Sequence, residues 1–136
     1  MDELVRLAVA VVLAATLLAA VIAARSVYRR RLSGHVATAA GDLVSRFALP
    51  PGEPAILYLS GERCVQCVAL QEPALRRLAE WRSIIVHKID AAAATDITRR
   101  FNILTVPSTV VIGPDHRIRG VNVGFADEDT LRRQLT

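Results

Sequence analysis

The chain contains two cysteines, Cys64 and Cys67, and they lie three positions apart. An apolar run that predicts a strand, Ala55 to Ser60, precedes them, and a segment with helical spacing of apolar residues begins at the first cysteine. The unpaired N–H groups and the dipole of a helix N-terminus favour an anion, so the pKa of the Cys64 thiol should be lowered there. Arg63 adds a positive charge directly before it. A thiolate with a second thiol one helical turn away is suited to thiol–disulfide exchange.

In the predicted reaction, the Cys64 thiolate attacks a substrate disulfide and forms a mixed disulfide. Cys67 then attacks that bond, which releases the reduced substrate and leaves the Cys64–Cys67 disulfide. The reverse sequence would introduce a disulfide into the substrate. We therefore expect protein disulfides as substrates and an upstream electron donor as a second partner, and a reducing compartment would favour disulfide reduction.

Two other interpretations of the cysteine pair remain open. The pair could be half of a four-ligand zinc site, but the sequence has no second cysteine pair, and His35, His87 and His116 are scattered singly. The pair could also be two inert buried residues, because free cysteine is often part of a core. We expect neither a metal nor another cofactor.

Helices and strands are predicted to alternate along residues 36–136 in the order α, β, α, β, α, β, β, α. Pro73 is predicted to kink the second helix, and Thr95 and Asp127 are predicted to cap the last two. Alternation followed by a hairpin predicts an α/β fold with a mixed sheet and helices on both faces. The predicted helices cover 36–48, 64–81, 95–101 and 127–135, and the predicted strands cover 55–60, 84–89, 108–112 and 117–123.

Over about residues 50–136 these features resemble the thioredoxin family, including its membrane-anchored bacterial members. The resemblance rests on the strand before the CxxC pair, on Ile89–Asp90 at the end of the next strand, and on Gly124 before the last helix. It rests above all on the run Val106-Pro107-Ser108-Thr109, about 40 residues after the pair. It implies a thioredoxin-like mixed sheet flanked by helices.

The same resemblance implies a substrate-binding site around the cysteines. Val106–Pro107 is expected to be a cis peptide bond beside Cys64, with the backbone of Val106 pairing with a substrate strand. Arg63, Val106 and Pro107 are therefore the expected substrate-binding residues, and Cys64 and Cys67 are the expected catalytic ones.

The sequence also departs from the family pattern. Arg63 replaces the usual tryptophan, and Val65–Gln66 replaces the usual Gly-Pro. Tyr58 aligns with the buried acid that assists the second cysteine, and a lysine common on the next strand aligns near positions 86–87. Pro73 comes one residue later than usual. These departures leave open a second class of function, a thioredoxin-fold adaptor or redox-sensing module that binds a membrane partner.

The first 24 residues differ in composition from the rest of the chain. Residues 7–24 carry no charged side chain, and Leu4 and Val5 extend the apolar stretch. As a helix this stretch spans roughly 27 Å, close to the roughly 30 Å hydrocarbon core of a bilayer. We therefore predict a single transmembrane anchor over residues 1–24, inserted through residues 4–24. A signal peptide is the open alternative, although the acidic start and the long apolar run are atypical of one.

The net charge of +4 comes from the segment after this anchor. Arginines at positions 25, 29, 30 and 31 carry it, whereas residues 33–136 hold 12 basic and 11 acidic side chains. This nearly neutral remainder, with few aromatic residues, offers no surface for nucleic acid. Positive residues beside a membrane span stay in the cytoplasm. We therefore predict a single-pass protein of the cell membrane, with a basic linker over 25–34 and a cytoplasmic thioredoxin-like domain over 35–136. An extracytoplasmic domain is the alternative.

Overall fold

The computed structural model describes the backbone of the chain and the side chains of residues 1–28 and 40–136. Two compact units are present, Met1–Val36 and Ala37–Thr136. The side chains of the predicted linker from position 29 onward, and those of His35 and Val36, lie outside the described residues. The helices are α1 (Asp2–Arg46), α2 (Glu72–Trp81), α3 (Thr95–Arg100) and α4 (Glu128–Leu135), and the strands are β1 (Ala55–Ser60), β2 (Ile85–Asp90), β3 (Ser108–Ile112) and β4 (Ile118–Val123).

The N-terminal part of α1 is an apolar helix. Its segment Asp2–Tyr28 is long and apolar enough to cross a membrane, and its most apolar stretch has no part buried inside the protein. An exposed helix that is apolar on every side is expected in lipid rather than in water. A signal sequence near an N-terminus also meets this criterion of length and apolar composition.

Among the described residues, four strands form one mixed sheet in the order β2-β1-β3-β4. β1 pairs in parallel with β2 and antiparallel with β3, and β3 forms an antiparallel hairpin with β4. The parallel pair requires a crossover, which the helical segment after the cysteines supplies. These observations confirm the predicted mixed sheet and place β1, all six residues of which are buried, beside its centre.

Helices cover both faces of the sheet, so each face forms its own core. Side chains alternate along β1, so Leu57 packs on the side of α3 and Tyr58 on the side of α2 and α4. Each fully buried leucine contributes roughly 1.5–3 kcal/mol by leaving water. The first core includes Leu43, Leu57, Leu59, Ile97, Val110 and Ile112, and the second includes Ile56, Tyr58, Leu75, Leu78, Val111 and Leu131.

Most predicted elements lie within a residue or two of the observed ones. The first predicted helix, 36–48, is not a separate element but belongs to α1, which begins at Asp2 and ends at Arg46. One predicted cap is also wrong. Thr95 is the first residue of α3, and the preceding Ala94 has no side chain that can cap it. The turn before α3 is organised by Asp90 instead, because its carboxylate accepts from the N–H of Ala92 and its carbonyl accepts from the N–H of Ala94. By contrast, Asp127 caps α4 as predicted, accepting from the N–H of Thr130 at 2.8 Å.

Candidate active site

The cysteine pair follows the C-terminal end of β1, where residues 61–64 form a loop into the next helical segment. Cys64 and Cys67 form a disulfide with an S–S distance of 2.08 Å. Cys64 is half-buried, whereas Cys67 is fully buried in the core on the side of α2. A substrate from solution can therefore reach the sulfur of Cys64, while that of Cys67 faces the interior.

The backbone of the helical segment points a donor at the first sulfur. The N–H of Cys67 donates to Sγ of Cys64 at 3.1 Å. This N–H lies in the first turn of the segment, where the helix leaves donors without an internal partner. After reduction the same donor would stabilise a negative charge on Cys64, because a hydrogen bond to a charged group is stronger than one to a neutral group.

A groove runs past Cys64 and brings together three of the predicted site residues. Arg63 and Val106 line it together with Cys64, and it encloses about 410 Å³. The loop at Gly61 lies beside Val106, since a Cβ on Gly61 would be in van der Waals contact with Cγ2 of Val106, at 3.4 Å. Pro107, the fifth predicted site residue, is buried behind Val106 and does not line the groove.

The loop that carries Val106, on one side of the groove, is held in place by local hydrogen bonds. Val106–Pro107 is a cis peptide bond, as the resemblance implied. The hydroxyl of Ser108 donates to the carbonyl of Thr105 at 2.7 Å and accepts from the N–H of Gly124 at 3.4 Å. Gly124 has φ +91°, a conformation that a residue with a side chain rarely adopts. The loop with the cis bond and the loop before α4 are thus joined beside the cysteines.

A π-helical turn over Cys67–Gln71 connects the cysteine pair to α2. The N–H of Glu72 donates to the carbonyl of Cys67, five residues back, whereas an α-helix would bond four residues back. Such a turn holds one extra residue, which matches the arrival of Pro73 one residue later than in the family pattern. Pro73 lies in the first turn of α2, where its missing N–H costs little.

Gln71 ends this π-helical turn, and sequence reasoning missed it. Its side chain is fully buried. The amide nitrogen donates to the carbonyl of Ala126 at 3.0 Å, and the amide oxygen accepts from the N–H of Ala126, also at 3.0 Å. One side chain therefore satisfies both backbone groups of a buried residue in the loop before α4. It connects that loop to the helical segment that carries the cysteines.

Lys88 and Glu72, which sequence reasoning missed, lie with Tyr58 on the same side of the sheet as Cys67. Lys88 neighbours Tyr58 across the β1–β2 pair. The ammonium of Lys88 donates to Oε1 of Glu72 at 2.8 Å, and the hydroxyl of Tyr58 lies 3.4 Å from the same oxygen. A carboxylate thus comes from the helical segment, although the family's acidic position on β1 is occupied by Tyr58. His87 points to the opposite face, where its ring packs against Phe47.

These contacts shift the ionisation of all three groups. The hydrogen bond from Lys88 lowers the pKa of Glu72, and the same bond raises the pKa of Lys88. Burial raises the pKa of Tyr58. At neutral pH the cluster therefore holds a carboxylate, an ammonium and a neutral phenol. Among the described side chains, no three His, Cys, Asp or Glu residues are grouped so that they could hold a metal ion.

The Glu72→Gln variant is expected to lose a pH-dependent part of its stability. A carboxyl group with a lowered folded-state pKa stabilises the fold above its unfolded value, which is 4.5 here, and this contribution is lost as the pH falls through the folded-state value. The difference in unfolding free energy between wild type and variant should therefore be largest near pH 7 and should shrink below about pH 4.5. Urea unfolding at several pH values measures it. Glu80→Gln, an exposed change of the same charge on α2, is the control, and a difference that does not vary with pH would contradict the expectation.

Comparison with known proteins identifies the class of fold. No family model and no curated protein sequence matches the chain. Several solved structures do match. The reduced thioredoxin pre-protein of Schistosoma mansoni is 22% identical to this chain, and the match covers 70% of this chain and 91% of that one, with a TM-score of 0.57. A mutant thioredoxin of Halobacterium salinarum matches at 26% identity, over 62% and 73%, with a TM-score of 0.52. A thioredoxin-like protein of Clostridium perfringens matches at 20% identity, over 64% and 71%, also with a TM-score of 0.52.

Residues after the apolar helix therefore have the thioredoxin fold. The predicted resemblance is confirmed at the level of the fold. Within that fold, a Cys-x-x-Cys disulfide follows the C-terminal end of a buried strand, beside a cis-proline loop. This is a site suited to thiol–disulfide redox chemistry.

Proposed function

We propose that the protein is a membrane-tethered thiol–disulfide oxidoreductase that works as a reductant. One observation carries the proposal: a disulfide whose first sulfur lies in an open groove and whose second is fully buried. Such a pair allows a substrate to form a mixed disulfide with Cys64 only. It also keeps Cys67 next to that bond, where it can resolve it.

The reaction starts from the reduced pair. The Cys64 thiolate attacks one sulfur of a substrate disulfide, the substrate S–S bond breaks, and a Cys64–substrate disulfide forms with release of one substrate thiolate. Cys67 then loses its proton and attacks Sγ of Cys64. The Cys64–Cys67 disulfide forms, and the second substrate thiolate leaves and takes up a proton. The substrate gains two electrons, and an upstream thiol donor returns two electrons to the pair.

Arg63, Val106 and Pro107 are the proposed substrate-binding residues. The backbone of Val106 pairs with an extended substrate segment, which holds the substrate sulfur over Cys64. The short distance between the Gly61 loop and Val106 supports this arrangement, because it keeps the groove narrow. Pro107 acts from behind the groove by fixing the direction of the Val106 backbone, and Arg63 supplies the charge at its rim.

The proposed tether is the segment 4–24 of α1, with the redox domain in the cytoplasm. The length and apolar composition of Asp2–Tyr28 support the tether. The arginines at positions 25, 29, 30 and 31 support the cytoplasmic orientation. Cytoplasmic thiol pools would then favour reduction of substrates. Protease accessibility in sealed vesicles tests the orientation, and an exported redox domain would contradict it.

The Cys67→Ser variant tests the oxidoreductase against the adaptor alternative. Without the resolving sulfur, the mixed disulfide formed by Cys64 should persist, so we expect substrate proteins linked covalently to the variant and released by a reductant. Non-reducing electrophoresis followed by mass spectrometry measures them. The control is the double variant Cys64→Ser, Cys67→Ser, which should trap nothing. One partner bound equally well by the double variant would instead indicate an adaptor.

A further inference from the structure

The groove beside Cys64, which Val106 also lines, carries a positive charge and no negative one among its described lining residues. Apart from the cysteine itself, Arg63 is the only ionisable residue among the described ones that line it. The Arg63 side chain is exposed, and it makes no ion pair with any carboxylate in the part of the chain that the structure describes. A guanidinium with no carboxylate partner is free to bind one from a ligand, in two parallel hydrogen bonds. The lining residues are Gly61, Arg63, Cys64, Val65, Gln66 and Val106.

Glu62, the acidic residue next to Arg63 in the chain, does not line the Val106 groove. It lines a neighbouring groove, which shares Arg63, Cys64 and Val65 with the Val106 groove. The N–H of Cys67, directed at Sγ of Cys64, adds positive potential at that sulfur. A negatively charged group of a ligand is therefore favoured in the Val106 groove. It is less favoured in the neighbouring groove, which Glu62 also lines.

The position of Arg63 defines which part of a substrate it can reach. Arg63 directly precedes Cys64 and lines the same groove, so a substrate whose sulfur is at Cys64 brings the residues that flank its cysteine within reach of Arg63. The remaining lining is uncharged, and Val65 at 78% exposure presents an apolar surface. A substrate in this groove thus meets one charged side chain, Arg63, and otherwise apolar or uncharged polar residues.

We infer that Arg63 selects disulfide substrates that carry a carboxylate next to the reacting cysteine. This inference rests on the proposed function and names its substrate class. An exposed ion pair gives a preference of about two- to fivefold at low ionic strength, and salt screens it. Arg63 therefore determines which disulfide substrates the groove prefers.

The test uses three peptide disulfides that differ only in the residue next to the cysteine: Asp, Asn or Lys. The full chain in an uncharged detergent reduces each of them at low salt with a dithiol donor. For wild type we expect kcat/KM to be about two- to fivefold higher for the Asp peptide than for the Asn peptide, and lowest for the Lys peptide. In Arg63→Gln this ratio should fall to about one. Arg63→Lys should keep part of it, because lysine preserves the charge but not the paired hydrogen bonds.

The ratio between peptides separates recognition from reactivity. Arg63→Gln lowers the rate for every peptide if Arg63 also stabilises the thiolate, but only recognition changes the ratio. Arg76→Gln, an exposed arginine on α2 outside the groove, is the matched control and should keep the wild-type ratio. A wild type that reduces all three peptides equally, or an Arg63→Gln variant with an unchanged ratio, would overturn the inference alone. Failure to reduce any peptide would overturn the proposed function, and with it this inference.

Discussion

Replacing Cys64 with serine is expected to slow catalysed disulfide reduction by at least about a thousandfold. A serine hydroxyl is not ionised near neutral pH, so it cannot replace the thiolate that attacks the substrate. The remaining cysteine cannot compensate, because Cys67 is fully buried and lines neither of the two grooves beside the pair. Turnover of a protein disulfide with a dithiol donor, corrected for the uncatalysed rate, measures the loss.

A single-turnover experiment distinguishes the two sulfurs. With a chromogenic aromatic disulfide, the reduced Cys67→Ser variant should release one equivalent of the aromatic thiol rapidly and then stop, because the first step needs only Cys64. The reduced Cys64→Ser variant should release none on the same timescale. The opposite pattern would make Cys67 the nucleophile and would contradict the role that its burial suggests.

The sheet and the cysteine site could be predicted because their signals are local. β1 is a short apolar run, so its bounds were predicted to the residue, and Asp127 caps α4 as its position before a helical pattern indicates. The start of α3 at Thr95 agrees with the prediction, but its cap could not be predicted, because Asp90 organises that turn from outside the helix. A capping preference depends only on the residue at the cap position. The observed turn instead depends on Asp90, which lies four residues before the cap position, Ala94.

The residues that surround the cysteines were harder to predict because they depend on the π-helical turn. An extra residue in a helix rotates everything after it by about 100° relative to everything before it. Gln71 and Glu72 therefore face partners that an unbroken α-helix would not give them. Glu72 meets Lys88 and Tyr58, and so supplies a carboxylate on the side of the sheet where the family position on β1 carries none here. The one sequence signal for this was the late position of Pro73.

Replacing Gln71 with alanine is expected to destabilise the redox domain by about 2–5 kcal/mol. The variant would leave the N–H and the carbonyl of Ala126 buried without partners, because both now bond to the Gln71 amide. Each unsatisfied buried group costs roughly 1–3 kcal/mol, and water that enters the space can recover part of this. The fluorescence of Trp81, the only tryptophan, provides the measurement, because its ring packs under the guanidinium of Arg132 where α2 meets α4. Urea unfolding followed at Trp81 should show a midpoint lower by about 1–2 M.

The controls separate hydrogen bonding from packing. Gln66→Ala removes an exposed glutamine from the same helical segment and should change stability by no more than about 0.5 kcal/mol. Gln71→Glu keeps the shape and can still accept from the N–H of Ala126, but its ionised form cannot donate to the carbonyl and buries a charge. It should therefore be destabilised near neutral pH and partly restored in acid, where a protonated carboxyl can donate. A Gln71→Ala variant as stable as Gln66→Ala would show that the two hydrogen bonds do not hold the loop before α4. In that case the position of the loop with the cis peptide bond would depend on Ser108, whose hydroxyl accepts from the N–H of Gly124 in the loop before α4. It would not depend on the helical segment that carries Gln71.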